Sequence, residues 1–119
     1  MPLLMKKILN KLKDIDVKII TGQEYETGRS INGKKEYAKM FEVEALSNGN
    51  TTIATELTNI TPTKLEGYIK GATLFSSIPF VYTGQNSVYH YCSANGSSIV
   101  IRATGDMSAY GATETLYYT

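Results

Sequence analysis

Tryptophan is absent from this chain of 119 residues, and cysteine and histidine occur only once each. The single cysteine, Cys92, excludes a framework of intramolecular disulfides. The single histidine, His90, leaves few bases to activate a nucleophile and too few ligands for a structural zinc ion. No apolar run is long enough to cross a bilayer. We therefore expect no catalytic residues, no metal site and no cofactor, and a membrane is not an expected partner.

The charge is small overall but unevenly distributed. A net charge of +1 argues against nucleic-acid binding, which usually requires a basic face. Residues 1–20 carry +3, because five lysines oppose two aspartates, whereas residues 21–119 carry −2. Lysines interrupt the apolar residues at the start of the chain, so a secretory signal is not predicted and we expect synthesis and folding in a cytoplasm.

Residues 2–16 are predicted to form the only helix. Its apolar side chains recur at alternating steps of four and three, which is the spacing of a coiled-coil seam. A helix of this length is marginal alone in water, so its apolar stripe needs a partner. The candidate oligomerisation residues are Met5, Ile8, Leu12 and Ile15. The lysines of the same segment leave open a second role, as a basic amphipathic anchor at a membrane surface.

From Val17 onward the hydrophobic pattern changes to period two, which is typical of half-buried strands. Asn32-Gly33 and Asn95-Gly96 are dipeptides that favour tight two-residue hairpins, because both turn positions need a positive φ. Turn signals about 8–12 residues apart are typical of an all-β sandwich. We predict residues 1–20 as a helical docking or oligomerisation segment, and residues 21–119 as one antiparallel, jelly-roll-like β-sandwich.

The last third of this domain is rich in tyrosine, with polar side chains among the rings. Aromatic rings offer flat apolar faces, and amide, guanidinium and carboxylate groups offer directed hydrogen bonds, so together they suit a sugar. The candidate ligand-binding residues are Tyr82, Tyr89, Tyr91, Arg102, Asp106 and Tyr110. The alternative is that these tyrosines fill the core and a subunit interface, since tyrosine is common in sheets.

Two residues on one predicted strand face invite a catalytic interpretation. His90 and Cys92 are two positions apart and therefore point the same way. A working Cys/His pair also requires a third, orienting group and an oxyanion site. Two side chains that fill an inner or interface face explain the pattern more simply, so we expect no enzyme.

Five segments in order resemble a β-domain common at the C-termini of phage tail and fibre proteins. The segments are Tyr25 to Lys39, Ile53 to Ile60, Leu65-x-Gly67-Tyr68, Ile78 to Tyr82, and Ile99 to Tyr110 followed by Glu114 to Thr119. Together they cover about residues 23–119. The last segment is the most specific, because it resembles the family's terminal hairpin and closing strand.

This resemblance implies a β-sandwich knob on a virion, commonly trimeric, that binds a host-surface glycan or another virion protein. The family domain usually ends a long fibre, whereas only a short predicted helix precedes it here. We therefore expect a short head fibre, a decoration protein or a tail-tip accessory that forms a homotrimer. The alternatives are a stand-alone carbohydrate-binding module and a membrane-surface protein anchored by its basic helix.

Overall fold

The computed structural model describes residues 20–81 and 86–119. In this part of the chain all regular structure is β. The strands are β1 (Glu24–Ile31), β2 (Lys34–Val43), β3 (Gly49–Ala54), β4 (Pro62–Lys70), β5 (Phe75–Ser77), β6 (Phe80–Val81), β7 (Ser87–Cys92), β8 (Ser98–Thr104) and β9 (Gly111–Tyr118). The predicted helix, with its candidate residues Met5, Ile8, Leu12 and Ile15, lies outside the described residues, as does Tyr82.

The strands form two antiparallel sheets. The five-stranded sheet has the order β1-β2-β9-β4-β5, and the four-stranded sheet has the order β3-β8-β7-β6. The central strand of the larger sheet, β9, is the last strand of the chain, and it pairs along its length with both β2 and β4. The prediction of an all-β, antiparallel fold is confirmed.

The core lies between the two sheets, where alternate side chains of each sheet meet. One cluster joins Ile69 and Ala112 of the larger sheet to Val88 and Ile101 of the smaller one. A second cluster contains Leu116 and Tyr118 from β9. Period-two alternation thus places one side chain in two in the core and leaves the other half on two outer faces.

The two asparagine–glycine turns differ from each other. Asn32 and Gly33 have φ values of 51° and 79°, and Ile31 pairs with Lys34, so β1 and β2 are joined by the predicted two-residue turn. The prediction of a second such turn at Asn95-Gly96 is wrong, because β7 and β8 are separated by residues 93–97. There the Asn95 Oδ1 accepts the Ser97 N–H at 3.1 Å, which favours a wider turn with one positive φ, at Gly96 (75°).

A buried carboxylate connects three strands near one end of the five-stranded sheet. Glu36 is 1 % exposed and accepts two hydrogen bonds of 2.8 Å from the Arg29 guanidinium. Its oxygens also accept hydroxyl hydrogen bonds from Thr27 and Thr63. Burial raises the pKa of Glu36, but these hydrogen bonds and the positive charge of Arg29 outweigh it, so the pKa is lowered.

The pKa of Glu36 predicts how stability depends on pH. A carboxyl whose folded pKa is depressed stabilises the fold above its unfolded pKa, and this contribution disappears as the pH falls through the folded value. The loss of unfolding free energy caused by Glu36→Gln should therefore be greatest at neutral pH and shrink below pH 4.5, the ordinary value. Urea unfolding between pH 3 and pH 7 measures it. Glu26→Gln is the control, since the Glu26 carboxylate is exposed and its ion pair with the Lys35 Nζ, at 3.6 Å, is open to solvent. Equal pH profiles for the two variants would contradict the prediction.

Candidate functional site

Three of the predicted ligand-binding residues share the outer face of the four-stranded sheet. Tyr89 of β7 lies opposite Arg102 of β8, and Tyr91 lies opposite Val100. Val81 of β6 pairs with Ser87 and therefore points to the same side. Val81, Tyr89 and Tyr91 are 67 %, 44 % and 54 % exposed. We refer to these five side chains, Val81, Tyr89, Tyr91, Val100 and Arg102, as the aromatic face.

The other two described candidates lie elsewhere. Asp106 is in the loop between β8 and β9, where its carboxylate accepts the Ser108 hydroxyl and N–H at 2.7 and 3.0 Å. These hydrogen bonds lower the pKa of Asp106. Tyr110 is half-buried and packs against the core near Met107. The structure thus groups Tyr89, Tyr91 and Arg102 and separates Asp106 and Tyr110 from them.

His90 points into the core and contacts a residue that sequence analysis did not single out. Its Nδ1 lies 2.9 and 2.8 Å from the two carboxylate oxygens of Glu114, which is fully buried on β9. Because His90 belongs to the smaller sheet and Glu114 to the larger one, the pair connects the two sheets across the core. A carboxylate only accepts hydrogen bonds, so a proton must lie between Nδ1 and Glu114.

The local sequence makes room for this carboxylate. Gly67 of β4 pairs with Glu114, and a Cβ added at Gly67 would lie 2.5 Å from the Glu114 carboxyl. Glycine inside a strand often marks such a close approach. Burial raises the pKa of Glu114, and the hydrogen bond and charge of His90 lower it only in part.

Cys92, the other half of the Cys/His pattern, has a different environment. Its Sγ donates to the Ser93 carbonyl oxygen at 3.3 Å, and burial raises the pKa of its thiol. A raised pKa keeps the thiol protonated at neutral pH, which disfavours nucleophilic chemistry. His90 thus contacts the opposite sheet, whereas Cys92 packs against the second core cluster.

A second accessible surface lies on the outer face of the five-stranded sheet. Two clefts of about 460 and 380 Å³ open there, and Tyr68 and Thr113 line both of them. We refer to the two adjoining clefts as the groove. Its strand residues come from β2, β9, β4 and β5, which are adjacent in the sheet, although β2 and β9 are distant in sequence from each other and from β4 and β5.

Comparison of the chain with models of protein families, with curated proteins and with solved structures found no match. In residues 20–81 and 86–119, no three acidic, histidine or cysteine side chains are placed to hold a metal ion. The same ranges contain no helix of the length and apolarity needed to span a membrane.

Proposed function

We propose that this protein is a binding knob of a phage virion, a short trimeric fibre or decoration protein whose aromatic face binds a host-surface glycan. The observation that supports this proposal is the exposure of three large side chains, Val81, Tyr89 and Tyr91, on the same sheet face. Side chains of this size at that exposure are more typical of an interaction surface than of ordinary solvent-facing sheet.

The chemistry of the aromatic face suits a sugar. Tyr89 and Tyr91 offer flat apolar rings with hydroxyl groups at their ends. Arg102 lies between Tyr89 and Asn50, its partners on the two neighbouring strands, and supplies five N–H donors in a fixed geometry. Rings for the apolar side of a sugar and fixed donors for its hydroxyl oxygens thus occur on one rigid surface.

The order of the strands supports a jelly-roll-like knob. In the larger sheet β9 lies between β2 and β4, and in the smaller sheet β3 lies beside β8. Long connections that return a late strand between early ones are characteristic of Greek-key sandwiches. A homotrimer in which Met5, Ile8, Leu12 and Ile15 pack at the axis remains a prediction from sequence, as do other virion proteins as partners. A stand-alone carbohydrate-binding module would need neither trimer nor virion.

Glycan-array binding by the full chain and its variants tests this proposal. Tyr89→Ala and Arg102→Ala should each lower the affinity for the glycans bound by the wild type by about tenfold, equivalent to about 1.4 kcal/mol. Tyr25→Ala, a tyrosine on β1 outside the aromatic face, is the matched control. The same preparation should show three times the chain mass in solution.

Binding that survives both variants would refute the aromatic face as the site. A monomeric mass would refute the trimer and leave the stand-alone module.

A further inference from the structure

We infer that the groove on the outer face of the five-stranded sheet is a second carbohydrate site, which takes an uncharged oligosaccharide. The inference adds a site to the proposed function but does not depend on the aromatic face, because the two surfaces lie on opposite sides of the molecule. It would stand even if the aromatic face bound no sugar.

The floor and walls of the groove follow from the register of the strands. Thr113 and Thr115 of β9 point outward and form the floor, since their neighbours Ala112, Glu114 and Leu116 point into the core. Gly111 continues the floor without a side chain. On one side lie Glu42 and Glu44, and on the other lie Tyr68 and Lys70 of β4. A low floor between taller walls makes an open channel across the sheet.

An aromatic platform stands at the β4–β5 side of the groove. The rings of Tyr68 and Phe75 are 4.8 Å apart between centroids and inclined at 38°. Phe75 lies on the edge strand and is 64 % exposed. An aromatic pair held in place by its own packing offers a ready apolar surface to a sugar ring, at little cost in side-chain entropy.

A hydrogen-bond acceptor is held beside this platform. The Glu66 carboxylate lies 2.5 Å from the Lys64 Nζ and accepts a hydrogen bond of 3.1 Å from the Tyr117 hydroxyl. The Lys64 hydrogen bond, helped by that from Tyr117, lowers the pKa of Glu66 despite its partial desolvation, so the group is an ionised acceptor at neutral pH. Thr115, Ser77 and Thr113 add hydroxyl groups to the same cleft. Fixed acceptors and hydroxyls next to a ring pair suit the hydroxyl groups of a sugar.

Charge and polarity distinguish a sugar from other ligands. Three carboxylates, from Glu42, Glu44 and Glu66, line the two clefts, against two ammonium groups, that of Lys70 and that of Lys64, which is paired with Glu66. This excess of negative charge disfavours sulfated, phosphorylated or carboxylated ligands and nucleic acids. A stable protein partner would need an apolar centre, whereas the floor here consists of threonine and glycine. Because the two clefts adjoin, the ligand is a chain of several sugars rather than a single one.

NMR titration of the full-length protein with three uncharged oligosaccharides, maltohexaose, cellohexaose and fully N-acetylated chitohexaose, tests the inference. At least one should shift the backbone signals of Tyr68, Thr113 and Phe75 in a saturable way. Phe75→Ala should weaken that binding by about tenfold, and Glu66→Gln should weaken it as well. Ile20→Ala, which removes an exposed apolar side chain outside both surfaces, is the matched control.

Phe75 lies on an exposed edge strand, so Phe75→Ala should leave the spectrum of the folded protein otherwise unchanged. If Phe75→Ala disturbs the fold, Glu66→Gln still tests the groove, because it preserves the side-chain volume. Absence of saturable shifts in the groove with all three sugars would overturn the inference, as would binding unaffected by both variants. Shifts confined to Tyr89, Tyr91 and Arg102 would overturn it while supporting the aromatic face. Shifts confined to the groove would support it and count against the aromatic face.

Discussion

Replacement of His90 by alanine should destabilise the fold by about 3–5 kcal/mol, because it leaves the carboxylate of Glu114 in the core without its partner. Glu114 is fully buried, and His90 supplies the hydrogen bond to its carboxyl group. Domains of this size usually have a total stability of about 5–15 kcal/mol. The variant should therefore lose a large part of its stability, and its urea midpoint should fall sharply.

The double variant separates the pair from ordinary packing. Replacing both His90 and Glu114 by leucine removes the charge and the hydrogen-bonding groups together. The double variant should therefore be far more stable than the summed losses of His90→Leu and Glu114→Leu imply. Tyr91→Thr, on the same strand but the opposite face, is the control and should shift stability by about 0.5 kcal/mol or less. A cost of less than about 1 kcal/mol for His90→Ala would show that the carboxylate does not depend on its partner.

The His90→Ala variant should also respond to pH in a defined direction. The folded pKa of Glu114 is already raised above 4.5, and loss of the histidine removes the contacts that lower it. The native state then binds the proton more tightly than the unfolded state, so stability is greatest in acid and falls as the pH rises through the folded pKa. This sign is opposite to that expected for Glu36.

The fold could largely be predicted from local patterns, because strand alternation needs only neighbouring residues. The outward positions of Tyr89, Tyr91 and Arg102 follow from the same alternation. Asp106 and Tyr110 follow the end of β8, where alternation no longer determines direction, so their separation from the aromatic face could not be predicted in this way. The five-residue loop at Asn95-Gly96 depended on side-chain hydrogen bonds that the dipeptide alone does not reveal.

The contacts of Glu114 required the order of the strands in the sheets. A signal was present, since Glu114 shares its alternation with Ala112, Leu116 and Tyr118, all of which are buried. Its partner His90 belongs to the other sheet, however, and the sequence does not say which strands face each other. The groove was missed for a related reason, because its walls come from β2 and β4, which are brought together only by the insertion of β9 between them.

Gly67→Ala should destabilise the protein by about 1–3 kcal/mol, which is typical of overpacking in a core. The new Cβ would lie 2.5 Å from the carboxyl carbon and both oxygens of Glu114. A free glutamate side chain could move aside, but the Glu114 carboxyl group is held by His90. Any movement that relieves the clash therefore weakens the hydrogen bonds that stabilise the buried carboxylate. Urea unfolding of the variant measures the cost.

The same substitution should change sign when Glu114 is first replaced by alanine. The obstruction is then absent, and alanine is favoured over glycine inside a strand by roughly 0.5–1 kcal/mol, because glycine loses more conformational freedom on folding. Gly67→Ala in the Glu114→Ala background should therefore be neutral or stabilising, although that background is itself weakened. An equal loss in both backgrounds would show that the glycine is required by the backbone of β4 rather than by the carboxylate. A reversal would establish that Gly67 and Glu114 act as one unit, in which a missing side chain on one strand makes room for a buried acid that connects the two sheets.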